Sequence, residues 1–270
     1  MEENIALGPD RYTGLAEAYN TYRPSPPAVI PDMLIQLART ARPRLIVDLG
    51  CGPGLSTFIW VDRAEAVVGV EPNGDMRRVA EARKSGHANA AHVRIQEGMA
   101  ARTGLPDDCA DIVTCSQSFH WMEPESTLAE VARILRSGGV FAAYDHQKLP
   151  TLDWEAEAAL IAFWARVDAV KTQRGIRRDR RWPKEEHLHQ MRVSGRFRYI
   201  GETWVHSIEA GNAERLVGFA RSRGSIAELL RQGVTEKEIG LDALRVEAKR
   251  TLGDDPRPWF FSYTVRIGIT

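Results

Sequence analysis

The chain has 270 residues, room for one large domain or for a core domain with a smaller insertion. Hydrophobic residues make up 43% and charged residues 27%, an ordinary balance for a soluble globular protein. Its 36 Lys and Arg offset 36 Asp and Glu, and that neutrality disfavours a general nucleic-acid binder, which needs a basic face to neutralise phosphates.

The first residues, MEENIALGPDRYTG, lack the basic start and apolar stretch of a secretory signal. Residues 11–23 read as a short amphipathic helix rich in tyrosine, with Pro24, Pro26 and Pro27 at its exit. A second helix is expected over 27–41, its prolines near the start where they are tolerated. An alternation follows. Arg44–Leu49, Ala66–Val70, Ala91–Gln96, Ala110–Cys115 and Val140–Tyr144 read as apolar strands. Between them, Pro53–Arg63, the segment capped by Asn73 through Lys84, and Pro124–Leu135 read as helices, the last stopped by Ser137-Gly138-Gly139. Strands that are almost wholly apolar and alternate with helices form a parallel sheet covered on both faces. Ligands then sit beyond the carboxyl ends of the strands.

Beyond residue 150 the texture changes. A long helix is expected over 152–170, strands over 197–206 and 259–269, and helices over 213–232 and 235–251. The longest apolar run, AALIAFWA at 158–165, is far short of the about 20 residues that span a bilayer. The expected organisation is residues 1–42 as capping helices, 43–150 as a ligand-binding core, and 151–270 as a helical substrate or lid insertion plus two strands of the same sheet. Cys51, Cys109 and Cys115 lack paired spacing, which points to reduced thiols in a cytoplasmic protein. A monomer or homodimer without nucleic-acid or membrane partners is expected.

The segment IVDLGCGPGLST at 46–57 carries the chemistry. Gly50, Gly52 and Gly54 recur at every second position, so neither G-x-G-x-x-G nor a P-loop fits. Pro53 removes an N–H from the turn, and the Asp48 carboxylate repels a pyrophosphate but attracts a cation. S-adenosylmethionine, cationic at its ammonium and sulfonium and free of phosphate, suits such a turn. Glu71, at the end of the second strand, can accept hydrogen bonds from both ribose hydroxyls.

The segments VDLGCGPG (47–54), VVGVEP (67–72), GLPDDCADIVTCSQSFHWM (104–122) and LAEVARILRSGGVFAAYD (128–145) resemble the class I S-adenosylmethionine-dependent methyltransferases, in particular the type 11 small-molecule group that includes trans-aconitate-like enzymes. YNTYRPSPP (19–27) and FSYTVRIGI also look like that group's lead-in and last strand. The resemblance implies a Rossmann-like, doubly wound α/β sheet of seven strands in the order 3-2-1-4-5-7-6, with strand 7 antiparallel. It implies that Asp48, Gly50, Cys51, Gly52 and Gly54 hold the methionine part and Glu71 the ribose. Pro72, Met76, Gly98, Met99, Ala100, Ser116, Gln117 and Ser118 are expected around the rest of the cofactor, with Tyr19 and Arg23 closing over it. The chain departs from many members in having Gly98-Met99-Ala100 where an acidic residue reads the adenine amino group.

For the methyl acceptor, His120, Trp121 and His146 follow the fourth and fifth strands and are the catalytic candidates; each histidine is alternatively a loop residue bonded to backbone. Tyr12, Tyr22 and Arg223 are candidates for holding an anionic or amphiphilic small molecule, with plain packing and solvation as their alternatives. Seven of the residues in 171–184 are basic, an anion clamp or a solvated loop. His187-Leu188-His189 lacks ligand spacing supported by Cys or acidic neighbours, so no metal is expected. Two other readings remain open: a cofactor-binding fold without turnover that serves a partner, and a nicotinamide-dependent oxidoreductase, disfavoured by the glycine spacing and Asp48.

Overall fold

The computed structural model describes residues 12–176 and 181–270. A single mixed sheet organises them, with seven strands in the order β3-β2-β1-β4-β5-β7-β6. The first five are β1 (Ile46–Leu49), β2 (Val67–Val70), β3 (Val93–Gln96), β4 (Ala110–Ser116) and β5 (Leu135–His146). These run parallel, with Asp48 opposite Gly69 on one side and Thr114 on the other. The last two, β6 (Tyr199–Gly211) and β7 (Arg257–Ile269), form an antiparallel ribbon, and β7 pairs antiparallel with β5.

Alternation along the strands builds two cores. Ile46, Val67, Ile112 and Val140 face one side; Val47, Val68, Val113 and Phe141 face the other. Each such aliphatic side chain contributes about 1.5–3 kcal/mol by leaving water. The first face is covered by α2 (Val29–Leu37), α5 (Trp154–Gln173), α7 (Ala213–Arg221), α8 (Gly224–Arg231) and α9 (Leu241–Thr251). Against the second lie α4 (Pro124–Ile134) and α6 (His187–Val193). The remaining helices are α1 (Ala16–Tyr22), over the carboxyl end of the sheet, and α3 (Gly74–Ser85) after β2.

Local chemistry sets the helix starts. Asn73 Oδ1 accepts from the Met76 N–H, and Asp75 and Lys84 suit the two ends of the α3 dipole. Glu123 caps α4 ahead of Pro124, and Asp153 caps α5.

Four expectations need correction. Pro53–Arg63 makes only a 3-10 turn at Thr57–Trp60, because the glycine turn uses up its first residues and the chain must reach β2 quickly. β5 begins at Leu135, directly off α4; Gly138, at φ +77, kinks the strand rather than separating it from the helix. The 213–232 helix breaks at Ser222–Arg223 into α7 and α8. Over 235–251 only Leu241–Thr251 is α-helical, since left-handed Gly240 (φ +79) stands at its start. The three cysteines are unpaired. No helix among the described residues is long and apolar enough to cross a membrane.

Candidate functional site

The glycine turn hangs from β2. Gly50 and Cys51 both donate their N–H to the Val70 carbonyl, and Gly50, Gly52 and Gly54 take φ of +65, +55 and +87. The three glycines do different work. A Cβ on Gly50 would lie 2.7 Å from Ser118 Cβ, and one on Gly54 would lie 2.5 Å from the Phe58 ring. One on Gly52 would meet nothing within 4 Å. Gly50 and Gly54 therefore let the turn pack, whereas Gly52 is bare backbone on open space.

Glu71 closes the turn. Its carboxylate accepts from the Gly52 N–H and the Asn73 N–H, both at 2.9 Å. Burial raises its pKa, against the pull of those two donors and of Arg77. A carboxylate offers about four lone-pair sites, so two remain for hydroxyl donors from a ligand.

Asp48 lies under the turn and is fully buried. Thr57 and Thr114 donate their hydroxyls to it at 2.7 and 2.8 Å. Burial nevertheless raises its pKa to about 6. It braces the turn from beneath rather than standing at the mouth.

Over this turn opens a cavity of about 1060 Å³. Gly50, Cys51, Gly52, Glu71, Pro72 and Met76 form one wall. Met99, Ala100, Ser116, Gln117, Ser118 and Trp121 continue it past β3 and β4. Tyr12, Tyr19 and Arg23 reach over it from the N-terminal helix, with Tyr12 edge-on to Tyr19 at 5.8 Å and to Trp121 at 6.3 Å. The Tyr263 hydroxyl donates to the Ser25 carbonyl at 3.1 Å and ties that lead-in to β7.

At the far end sits His146. Its Nδ1 is 2.7 Å from the Gln147 carbonyl, and an acceptor there fixes Nδ1 as the protonated nitrogen. Nε2 is left with its lone pair and no partner among the described residues. Burial, then the charges of Arg23 and Lys184, push the imidazole pKa well below its usual value, so it is neutral. Behind it, Asp145 gathers Lys184 Nζ at 2.7 Å, Arg266 Nη1 at 3.5 Å, and the Nδ1 atoms of His120 and His187 at 3.6 Å each. Burial opposes ionisation of Asp145, but Lys184 and the histidines hold it well below the carboxylate range. Lys184 also donates to Gln117 Oε1 at 2.8 Å, and Arg181, Trp182 and Pro183 form part of the cavity wall.

Several expected residues lie elsewhere. His120 turns away from the cavity into the Asp145 cluster, beside Trp121 and His187. Tyr22 packs on Gly218 and donates its hydroxyl to Glu214 at 3.0 Å, so it faces α7 and no substrate. Arg223 is not a solvated side chain: it stacks on Trp164 at 4.5 Å and donates to the Lys148 carbonyl at 2.7 Å, one layer behind the wall. Gly98 serves packing, since a Cβ there would lie 2.9 Å from Val70 Cγ1. Gly54, too, is outside the wall. His187 is fully buried against Phe119, and among the described residues no group of three His, Cys, Asp or Glu is placed to hold a metal ion. The basic run 171–184 falls partly outside the described residues, at 177–180. Lys184 and Tyr263 were missed by sequence reasoning. Trp182-Pro183 ahead of Lys184 was the available signal, an aromatic and a turn former that end the basic run.

Residues 47–143 match the methyltransferase domain family. An uncharacterized methyltransferase of Mycobacterium tuberculosis is 34% identical over 140 residues, 52% of this chain and 54% of the relative. A proposed S-adenosylmethionine-dependent methyltransferase of Saccharomyces cerevisiae is 30% identical over 125 residues, 46% of this chain and 43% of the relative. The aligned parts thus span about half the length of these relatives. The solved structure of a proposed type II methyltransferase from Anaeromyxobacter dehalogenans superposes with a TM-score of 0.66 at 21% identity, covering 92% of this chain and 98% of that one. The YcgJ protein of Bacillus subtilis gives 0.53 at 18%, covering 89% and 97%. Both show the shared fold. The turn fits S-adenosylmethionine, with bare backbone at Gly52 for the amino-acid part and free lone pairs on Glu71 for the ribose. By strand order, turn and matched segment together, residues 47–143 are similar to a methyltransferase domain, set in the fold that those solved structures share.

Proposed function

We propose that the protein transfers a methyl group from S-adenosylmethionine to a small anionic acceptor. One observation carries this reading: the Gly52–Glu71 cradle and the His146 end open into the same cavity. About 1060 Å³ is at the top of the range for a single ligand site, and a cofactor and an acceptor share it here. When bound, S-adenosylmethionine supplies an electrophilic methyl on its sulfonium.

The chain's own residues do the rest. Glu71 and Gly52 orient the cofactor; Pro72, Met76 and Met99 flank it. Tyr12, Tyr19 and Trp121 exclude water over the reacting centre, and holding the two reactants in line supplies much of the rate. Cations converge at the far end. On the wall, Arg23 lies 5.1 Å over Tyr19 and 5.0 Å over Phe219; behind it, Arg223 lies 5.8 Å from the same Phe219 ring and adds its charge without reaching the cavity. No carboxylate among the described residues pairs with Arg23, Arg181 or Arg223. Of the three carboxylates on the cavity wall among the described residues, Glu71 is committed to the turn and the cofactor, Glu123 to capping α4, and Glu186 is exposed. An acid is therefore the acceptor these walls favour.

Titration with S-adenosylmethionine and S-adenosylhomocysteine, followed by a panel of acids, tests the reading. Binding of both and methylation of an acid is expected. Binding without turnover across the panel favours a non-catalytic cofactor fold, and no binding of either overturns the reading.

A further inference from the structure

The cations at the His146 end raise a chemical question: whether the acceptor's anionic group receives the methyl or only holds the acceptor in place. Methylation of a carboxylate destroys its charge, because anion and sulfonium become ester and thioether. Arg23 on the wall, with the charges of Arg223 and Lys184 behind it, would stabilise the reactant carboxylate and lose that hold as the transition state forms, the reverse of what catalysis needs. A carboxylate also needs no base, and His146 would then be idle.

His146 is built as a base. Nδ1–H is fixed on the Gln147 carbonyl at 2.7 Å. Phe219, Phe261 and Tyr263 hold the ring at centroid distances of 6.0, 6.1 and 5.9 Å. The residue lines the cavity, and Nε2 is the nitrogen left for it. The titratable and charged groups around it are Tyr19 and Arg23 from the α1 side, Lys184 paired with Asp145, Arg223 ahead of α8, and Tyr263 and Arg266 on β7. With three of these cations acting on it and Asp145 the one carboxylate beside it among the described residues, His146 resists becoming an imidazolium. A bound anion lowers that cost.

Resting on the function proposed above, we infer that the acceptor is a hydroxy acid whose carboxylate is the handle and whose hydroxyl is methylated, with His146 Nε2 taking the hydroxyl proton. The hydroxyl oxygen forms the new bond to the methyl carbon, the S–C electron pair stays on sulfur as the thioether S-adenosylhomocysteine, and the proton rests on His146 until it leaves to solvent. The carboxylate stays charged throughout, so its contacts to the cations hold from binding to product. The aromatic walls at Tyr12, Tyr19, Trp121 and Trp182 suit a flat, unsaturated body.

The test uses hydroxyaryl acids with ring-to-carboxylate spacers from benzoate to phenylpropionate, each beside its analogue lacking the hydroxyl and its methyl ester. S-adenosylhomocysteine binding is measured first, and its absence would sink the parent reading instead. On the loaded protein, at least one hydroxy acid is expected to bind ten-fold or more tighter than its ester, and to raise the His146 pKa followed by NMR. With S-adenosylmethionine, that acid is expected to give an alkali-stable methyl ether. His146→Gln should lower kcat about 100-fold or more while KM changes less than three-fold. The inference is overturned by any of these: acids that bind no tighter than their esters, an alkali-labile methyl ester, methylation of the hydroxyl-free analogue, no methylation of a bound hydroxy acid, or full activity in folded His146→Gln.

Discussion

Lys184 Nζ sits 2.7 Å from Asp145 Oδ1, tying the segment after the basic run to the carboxyl end of β5. Removing the ammonium strands a buried carboxylate. Lys184→Met is expected to destabilise the protein by about 3 kcal/mol, the lower end for a broken buried pair, because Arg266 still faces Asp145 at 3.5 Å. Urea denaturation measures it. A loss below about 0.5 kcal/mol would mark the pair as an ordinary surface contact.

Two glycines of one turn should fail differently. Gly52→Ala puts a methyl where nothing lies within 4 Å, so the fold should lose only the about 1–2 kcal/mol of a left-handed non-glycine residue. Its S-adenosylhomocysteine affinity should fall ten-fold or more, because the methyl occupies the cradle. Gly54→Ala drives the same methyl to 2.5 Å from the Phe58 ring and should fail in folding first. Thermal melts and calorimetry on both variants separate the two effects; equal loss of stability in both would contradict the assignment.

Asp48 predicts a pH dependence of unusual sign for a carboxylate. Its pKa is raised to about 6 in the folded chain, so the folded state holds a proton that the unfolded state has released. The contribution to stability is fully present below the unfolded pKa and is lost as pH rises through about 6. Relative to Asp48→Asn, the native protein should lose about 2 kcal/mol between pH 4 and pH 7. Denaturation of both proteins across that range measures it, and a constant difference would contradict it.

His146 on the cavity wall and His120 behind it act the other way. Burial first, and nearby cations next, depress His120 and His146. Unfolded, each binds a proton near the ordinary imidazole value; folded, each resists it. Their contribution is present above that value and is lost as pH falls below it. Histidine NMR should show neither ring titrating near the ordinary imidazole value, and a normal titration of His146 would remove the case for its neutral Nε2.

The sheet was legible because its strands are buried on both faces. Ile46–Leu49 and Val67–Val70 read as apolar runs with a glycine turn between them, and Asn73 read as a cap. Those signals are local. The direct passage of α4 into β5 at Leu135 was not legible, since Ser137-Gly138-Gly139 looks the same whether it ends a helix or kinks a strand. Gly52 and Glu71 could be placed on the cavity wall from position alone, because each follows the carboxyl end of a strand. Tyr22 and Arg223 could not, since their partners Gly218 and Trp164 come from distant elements. Lys184 disappeared into a run of charge, and only the Asp145 carboxylate across the fold distinguishes it from its neighbours.

In the proposed function the turn and Glu71 hold S-adenosylmethionine. Calorimetric titration of the native protein and of Glu71→Ala with S-adenosylhomocysteine tests it most directly. Micromolar binding to the native protein is expected, weakened about 10- to 100-fold in the folded variant by loss of hydrogen bonds to a charged group. Equal affinity in the two proteins, or no binding to either, would contradict it.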